Sequence, residues 1–194
     1  MSDPQSPIGR ALQSLGAGPA AAQRDNKIRQ QFCGDIDMRI GHDGTWFYHG
    51  SPIGRKPLVK LFASVLRRED DGDYWLVTPV ERARIRVDDA PFTAVEVNAS
   101  GAGKGRTLTF RTNLDDEVVL DAEHPLEVRF RGERREPRPY IRVRDGLEAR
   151  VLRPVFYELV AIAEPVPRDI SGVEPGTIGV WSSGQFFSLG RAEG

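Results

Sequence analysis

Apolar and polar positions change period several times along this chain, and each change marks an element. From Gly34, Ile36, Met38 and Ile40 alternate with Asp35, Asp37 and Arg39, the period-two pattern of a half-buried strand. Asp43-Gly44 predicts a turn, since Gly accepts positive φ without steric cost. Trp46, Phe47 and Tyr48 then suit the pleated surface of a second strand, and Gly50-Ser51-Pro52 turns the chain again. Pro57 fits the first turn of a helix, where its missing N–H costs little. Leu58, Leu61, Phe62, Val65 and Leu66 continue at helical spacing as far as the stop at Asp70–Asp73.

A shorter version of this plan returns over Tyr140–Ala163. Ile141 and Val143 alternate with Arg142 and Arg144, Asp145-Gly146 turns, and Leu147, Ala149 and Val151 form the inner face of the next strand. Arg153-Pro154 corresponds to Arg55-Lys56-Pro57, and Val155, Phe156, Leu159, Val160 and Ile162 make a helix face. The recurrence predicts a duplicated motif. Between the two copies short alternating runs predict antiparallel strands: Tyr74–Thr78, Arg82–Val87, Phe92–Asn98, Thr107–Arg111, Val118–Ala122 and Val128–Phe130. Near the end, Ile178–Trp181 and Phe186–Leu189 flank Ser182-Ser183-Gly184-Gln185. That hairpin is too apolar to stay solvated and should pack back on the body.

These elements predict an α+β protein of two domains with a boundary near Val87–Pro91. Residues 1–23, rich in Gly, Ala, Pro, Ser and Gln, read as a loose arm, and Asn26–Phe32 as a short helix. Residues 24–88 form a small α+β domain. Residues 89–194 form a β-rich domain, a bent antiparallel sheet or partly open barrel capped by its helix, ending in the terminal hairpin.

Composition narrows the functional classes. The 194 residues carry 27 Lys and Arg against 28 Asp and Glu, so bulk charge draws the protein neither to nucleic acid nor to a membrane surface. A single cysteine, Cys33, excludes an internal disulfide and most cysteine zinc sites and fits a reducing cytoplasm. No apolar run reaches transmembrane length, and the first residues lack the pattern of a signal peptide.

Candidate chemistry is sparse. Ser100–Arg106 is Gly-rich, but its spacing departs from a phosphate loop and it joins two strands instead of opening a helix. His42 and His49 with Asp37 or Asp43 form a weak metal set. Arginine lines several strands: from Arg129 to Arg153 there are nine arginines against four acids, net +5, while Asp115–Glu127 holds six acids and no Lys or Arg. Such faces either pair with each other across strands or bind an anion through guanidinium forks. The richest constellation is Trp46, Tyr48, His49, Arg55 and Lys56 with Trp181, joined by Arg144 of the arginine-rich strand. If the two copies face each other, rings and cations would converge to stack a base and hold a phosphate.

The stretches GDIDMRIGHDGTWFYHGSPIGRKPLVKLFASVLRRE, DGDYWLVTPVERARIRVDDAPF, RVRDGLEARVLRPVFYEL and GVWSSGQFFSLG resemble those of a bacterial family, domain of unknown function 1285, from about Arg24 to Gly190. The resemblance implies two domains with repeated motifs, the second superficially similar to pleckstrin-homology-like folds. It also implies a cleft between the domains that takes a nucleotide-like ligand, and a role in signal transduction. It brings no catalytic set and no cofactor. The expectation is therefore a cytoplasmic sensor that binds a nucleotide-like small molecule. The alternatives are a protein-interaction module using the pleckstrin-like surface and a phosphate-ester hydrolase.

Overall fold

The computed structural model describes residues 31–79, 81–132, 136–167, 170 and 174–191, with side chains from Gly34 onward. The predicted arm and most of the predicted Asn26–Phe32 helix lie outside these residues. The chain divides into two compact units, Met1–Asp88 and Asp89–Gly194. The described residues are mostly β, with two short helices.

Unit 1 runs β1 (Gln31–Ile40), β2 (Trp46–Tyr48), β3 (Ser51–Pro52), α1 (Lys56–Ser64), β4 (Leu66–Arg68), β5 (Tyr74–Val77) and β6 (Glu81–Val87). Phe32 is therefore extended, not helical. One six-stranded sheet has the order β3-β2-β1-β6-β5-β4. Its first and last long strands, β1 and β6, pair in parallel. Local hairpin signals cannot predict that contact, because a parallel pair needs the whole intervening chain as its crossover. β1 shifts register between Phe32 and Asp35, where Gly34 has φ 75°, as a β-bulge requires. Met38, Ile40, Trp46, Phe62, Leu66 and Ile85 form the core.

One local detail follows the sequence expectation and two depart from it. Asp43 folds its carboxylate onto Thr45, accepting from the backbone N–H at 3.0 Å and from Oγ1 at 2.8 Å. The turn expected at Gly50-Ser51-Pro52 is instead made by His49 and Gly50, with φ 46° and 74°, while Ser51 and Pro52 pair with β2 as β3. The helix, however, stops at Ser64, earlier than its apolar spacing predicts. Val65 accepts from Val77 N–H at 2.9 Å, and Leu66 pairs with Leu76. Leu66 is buried as predicted, but as a strand residue.

Unit 2 runs β7 (Phe92–Ser100), a 3-10 turn (Gly103–Gly105), β8 (Thr107–Thr112), β9 (Glu117–Val119), β10 (Leu126–Arg131), β11 (Glu136–Arg144), β12 (Leu147–Val151), α2 (Arg153–Ala161), β13 (Glu164–Pro165), β14 (Thr177–Ser182) and β15 (Gln185–Arg191). The six-stranded sheet β10-β11-β12-β7-β8-β9 is open, a half-barrel, and a second sheet is β13-β14-β15. The expectation of an antiparallel sheet is corrected at one pair: β12 and β7 run parallel. Phe130 of β10 is 48% exposed. Phe92, Phe110, Leu108, Leu120, Ile141, Leu147 and Leu159 fill the core.

The terminal hairpin packs back on its own unit, as its apolar content requires. Ser183 and Gly184 form its turn, both with positive φ. Ser182 Oγ is buried; it accepts from Leu108 N–H at 2.9 Å and donates to Leu120 C=O at 2.7 Å. Gly179 has no room for a side chain: a Cβ would stand 2.2 Å from Phe187 O and 2.7 Å from the Phe186 ring.

Candidate functional site

The arginine-rich strands resolve into two different situations. In unit 1 the arginines of β6 are matched. Arg84 faces Asp35 with Nε at 2.6 Å and Nη2 at 2.9 Å, and reaches Asp73 at 2.8 Å. This holds the Asp35 carboxyl below its ordinary range, chiefly through the Arg84 hydrogen bond. Arg82 donates to Glu69 at 2.8 Å, and Arg86 to Asp37 at 3.4 Å. Arg39 pairs with Asp88. The groove along this face, lined by Asp35, Asp37, Asp73, Arg84, Arg86 and Asp88 among others, is therefore a ladder of internal ion pairs.

In unit 2 part of the charge is matched and part is not. Arg129 donates to Glu148 at 2.9 Å and to Glu127 at 2.8 Å, which lowers the Glu127 pKa. Arg111 pairs with Glu96 and lowers its pKa in turn. In the same unit, a hollow of about 300 Å³ opens between the start of β11, the end of β12 and the first turn of α2. Among the described residues its cations are Arg138, Arg150 and Arg153, and its one acid is Glu136; Phe156 and Tyr157 supply rings, Tyr157 being 60% exposed.

The strand register explains why these groups meet. Tyr140 of β11 stands opposite Arg150 of β12, and alternation puts Arg138 on the same face two residues back. Asp145-Gly146, both with positive φ, fixes that register by a tight hairpin turn. Leu152 follows the strand and caps α2 with its backbone alone. No side chain caps this helix, no acid lies in its first turn, and proline occupies its start. An uncapped helix start already favours anions, so Arg153 there adds positive charge where the backbone supplies it too. Behind the hollow Asp89 lies near Arg150 at 3.3 Å and Arg138 at 3.9 Å. Tyr140 donates its hydroxyl to Asp89 at 2.7 Å, and burial, followed by that bond, raises the Tyr140 pKa.

The site residues expected from sequence fall in several places. Trp46 and Trp181 are corrections as stacking platforms. Trp46 is 1% exposed and stacks on Phe62 with centroids 6.2 Å apart; Trp181 is 6% exposed and meets Phe186 edge-on at 5.5 Å. Rings this large contribute most when buried, and both strands turn them inward. Tyr48 and His49 do come together, their rings 4.1 Å apart, with His49 Nδ1 at 3.3 Å from Asp37. Arg55 and Lys56 are exposed at the start of α1. Arg144 lies over the Phe92 ring at 5.2 Å and 4.0 Å from Asp116. His42 is exposed. Among the described residues, no three His, Cys, Asp or Glu side chains are placed to share a metal. The Gly-rich loop joins β7 to β8 as expected, and its Lys104 lies over the Trp181 ring at 5.0 Å.

Sequence reasoning counted the arginines of the hollow but did not select Arg138, Arg150, Arg153 and Tyr157. The available signal was the surplus of five positive charges with Arg153-Pro154 at its end; the register that gathers three of those arginines was not available. Among the described residues, no helix is long and apolar enough to cross a membrane.

Comparison with known proteins agrees with the motifs quoted above. No curated protein matches. Residues 26–90 match the family model described as "Domain of unknown function (DUF1285), N-terminal domain". Residues 91–189 match "Protein of unknown function (DUF1285), C-terminal domain". A crystal structure of a DUF1285 family protein from Silicibacter pomeroyi is similar at 43% identity and TM-score 0.75, over 89% of this chain and 93% of that one. One from Shewanella baltica is similar at 26% identity and TM-score 0.51, over 65% of this chain and 91% of that one. With both halves matched in order and a close structural relative spanning nearly the whole chain, this protein belongs to the DUF1285 family.

Proposed function

We propose that this protein is a ligand-binding sensor whose unit 2 takes a small, phosphate-bearing, nucleotide-like anion in the hollow at the start of α2. The observation that carries the reading is Arg138, Arg150 and Arg153 lining one hollow against a single acid among the described lining residues. Guanidinium forks match phosphate oxygens, the uncapped helix start adds donors of the same sign, and Tyr157 offers a ring face. A volume of about 300 Å³ is at the small end for ligand sites, so the occupant is mononucleotide-sized. A sensor of this kind would serve signal transduction, its occupancy read by whatever surrounds the site.

The test is thermal shift of the full chain against inorganic phosphate, sugar phosphates and nucleoside monophosphates. Ligand at 100 times its Kd adds roughly 2.7 kcal/mol to stability. Arg150→Ala should abolish that gain. Absence of any shift across the panel would discard the reading.

A protein-interaction role has its own supporting observation. β9 is an edge of the open sheet, and its Val119 is 38% exposed. A partner could add a strand there, which is the surface role that a pleckstrin-homology-like domain implies. Binding of that kind would survive Arg150→Ala.

A further inference from the structure

We propose that Asp89 is a positioning residue for this hollow, holding Arg138 and Arg150 toward a ligand without occupying their donors. The inference rests on the anion-binding reading above. Asp89 is not part of the lining; it meets the two arginines from behind. Its side chain is 9% exposed. Oδ1 accepts the Tyr140 hydroxyl. Oδ2 is enclosed and takes no hydrogen bond in this arrangement; its nearest cations are Arg150 Nη1 at 3.3 Å and Arg138 Nη1 at 3.9 Å. Attraction of charge, not donor geometry, links it to them, and each guanidinium carries five N–H donors.

Tyr140 is itself fixed from the other side. Arg129 lies over its ring at 4.5 Å and is tied to Glu127 and Glu148. The chain of contacts therefore runs from the outer ion pairs through Tyr140 to Asp89 and on to the two arginines of the hollow.

Two effects of Asp89 oppose each other. As an anion it repels an incoming phosphate. As a tether it removes rotamer freedom from two long side chains before a ligand arrives. The tether prevails because Asp89 faces the hollow only through two cations that offset its charge. Simple charge counting predicts the reverse, namely tighter anion binding once Asp89 is neutralised.

The experiment is calorimetric titration of inorganic phosphate and of a nucleoside 5′-monophosphate into the wild type and Asp89→Asn. Side-chain ¹⁵N spectra of the arginine Nε–H groups accompany it. Asp89→Asn is expected to bind about tenfold more weakly, with the Arg150 Nε signal averaged toward that of a free side chain. Asp89→Glu should restore part of the affinity. Tyr140→Phe, which keeps the carboxylate but releases it, should weaken binding about two- to threefold and serves if Asp89→Asn does not fold. Equal or tighter binding by either variant, or an unchanged Arg150 signal, overturns the proposal and leaves the pocket reading standing. Failure of the wild type to bind either probe removes the pocket reading, and this inference with it.

Discussion

Units 1 and 2 contain the same series of elements with different partners. In both, two strands joined by a turn, followed in unit 1 by the two-residue β3, lead to a nine-residue helix with proline at its start and no side-chain cap. In both, a short strand and a hairpin follow. In unit 1 the hairpin β5-β6 enters the same sheet, and β6 lies beside β1. In unit 2 the corresponding hairpin β14-β15 forms a separate sheet; β10 lies beside β11, the counterpart of β1, and β7 lies beside β12. The consequence is chemical. The β6 arginines of unit 1 meet carboxylates from β1 and from the loop before β5. In unit 2 Arg138 and Arg150 share one buried Asp89, and among the described residues no carboxylate lies within ion-pair distance of Arg153. A repeated local pattern thus yields a self-neutralised face in one unit and a surplus of positive charge around a hollow in the other.

The comparison breaks most readily at the detached hairpin. Gly179→Ala forces a Cβ onto a backbone oxygen and a ring, so unit 2 should lose about 3 kcal/mol or more. Denaturant unfolding measures this, and a loss under about 1 kcal/mol would mean β14 and β15 are not held as described. Ser182→Ala leaves the Leu108 N–H and Leu120 C=O without their side-chain partner. The expected cost is about 1–3 kcal/mol, read from the same curves, and unit 1 has no matching dependence.

The charge difference gives smaller effects. Arg153→Ala should weaken phosphate binding at least tenfold, about 1.4 kcal/mol, while Lys56→Ala, at the same place in the unit 1 motif, should change it less than about twofold. Parallel titrations decide this; equal losses would erase the distinction between the helix starts. The smallest effect lies in the acid range. Asp35 titrates below its ordinary value of 3.8 because Arg84 hydrogen-bonds its charged form. Its contribution to stability is therefore complete above that ordinary value and lost as pH falls through the lower folded value. Carboxyl NMR titration should show Asp35 moving back up in Arg84→Gln; no movement would detach the two groups.

The hairpins were readable because their signals are local. Asp145-Gly146 and Ser183-Gly184 carry positive φ, and alternation placed Met38, Ile40, Ile141 and Ala149 inward. The helix faces were readable for the same reason at Phe62, Val155 and Leu159. The helix ends were not, since Val65 and Leu66 answer to β5 across the sheet. Trp46 and Trp181 show the corresponding limit for a site. Their residue type and their glycine-bounded strands suit either a ligand or a core, and only packing decided for the core.

By itself, the sequence determined the longer hairpins, the two helix faces, the arginine surplus and the family, because each of these is written within a few neighbouring residues or along the chain as a whole. Tertiary structure decided that β1 meets β6, that β12 meets β7, and that Arg138, Arg150 and Arg153 share one hollow with Asp89 behind it. Those outcomes depend on register between strands far apart in the chain, where a shift of one residue would move every side chain to the opposite face.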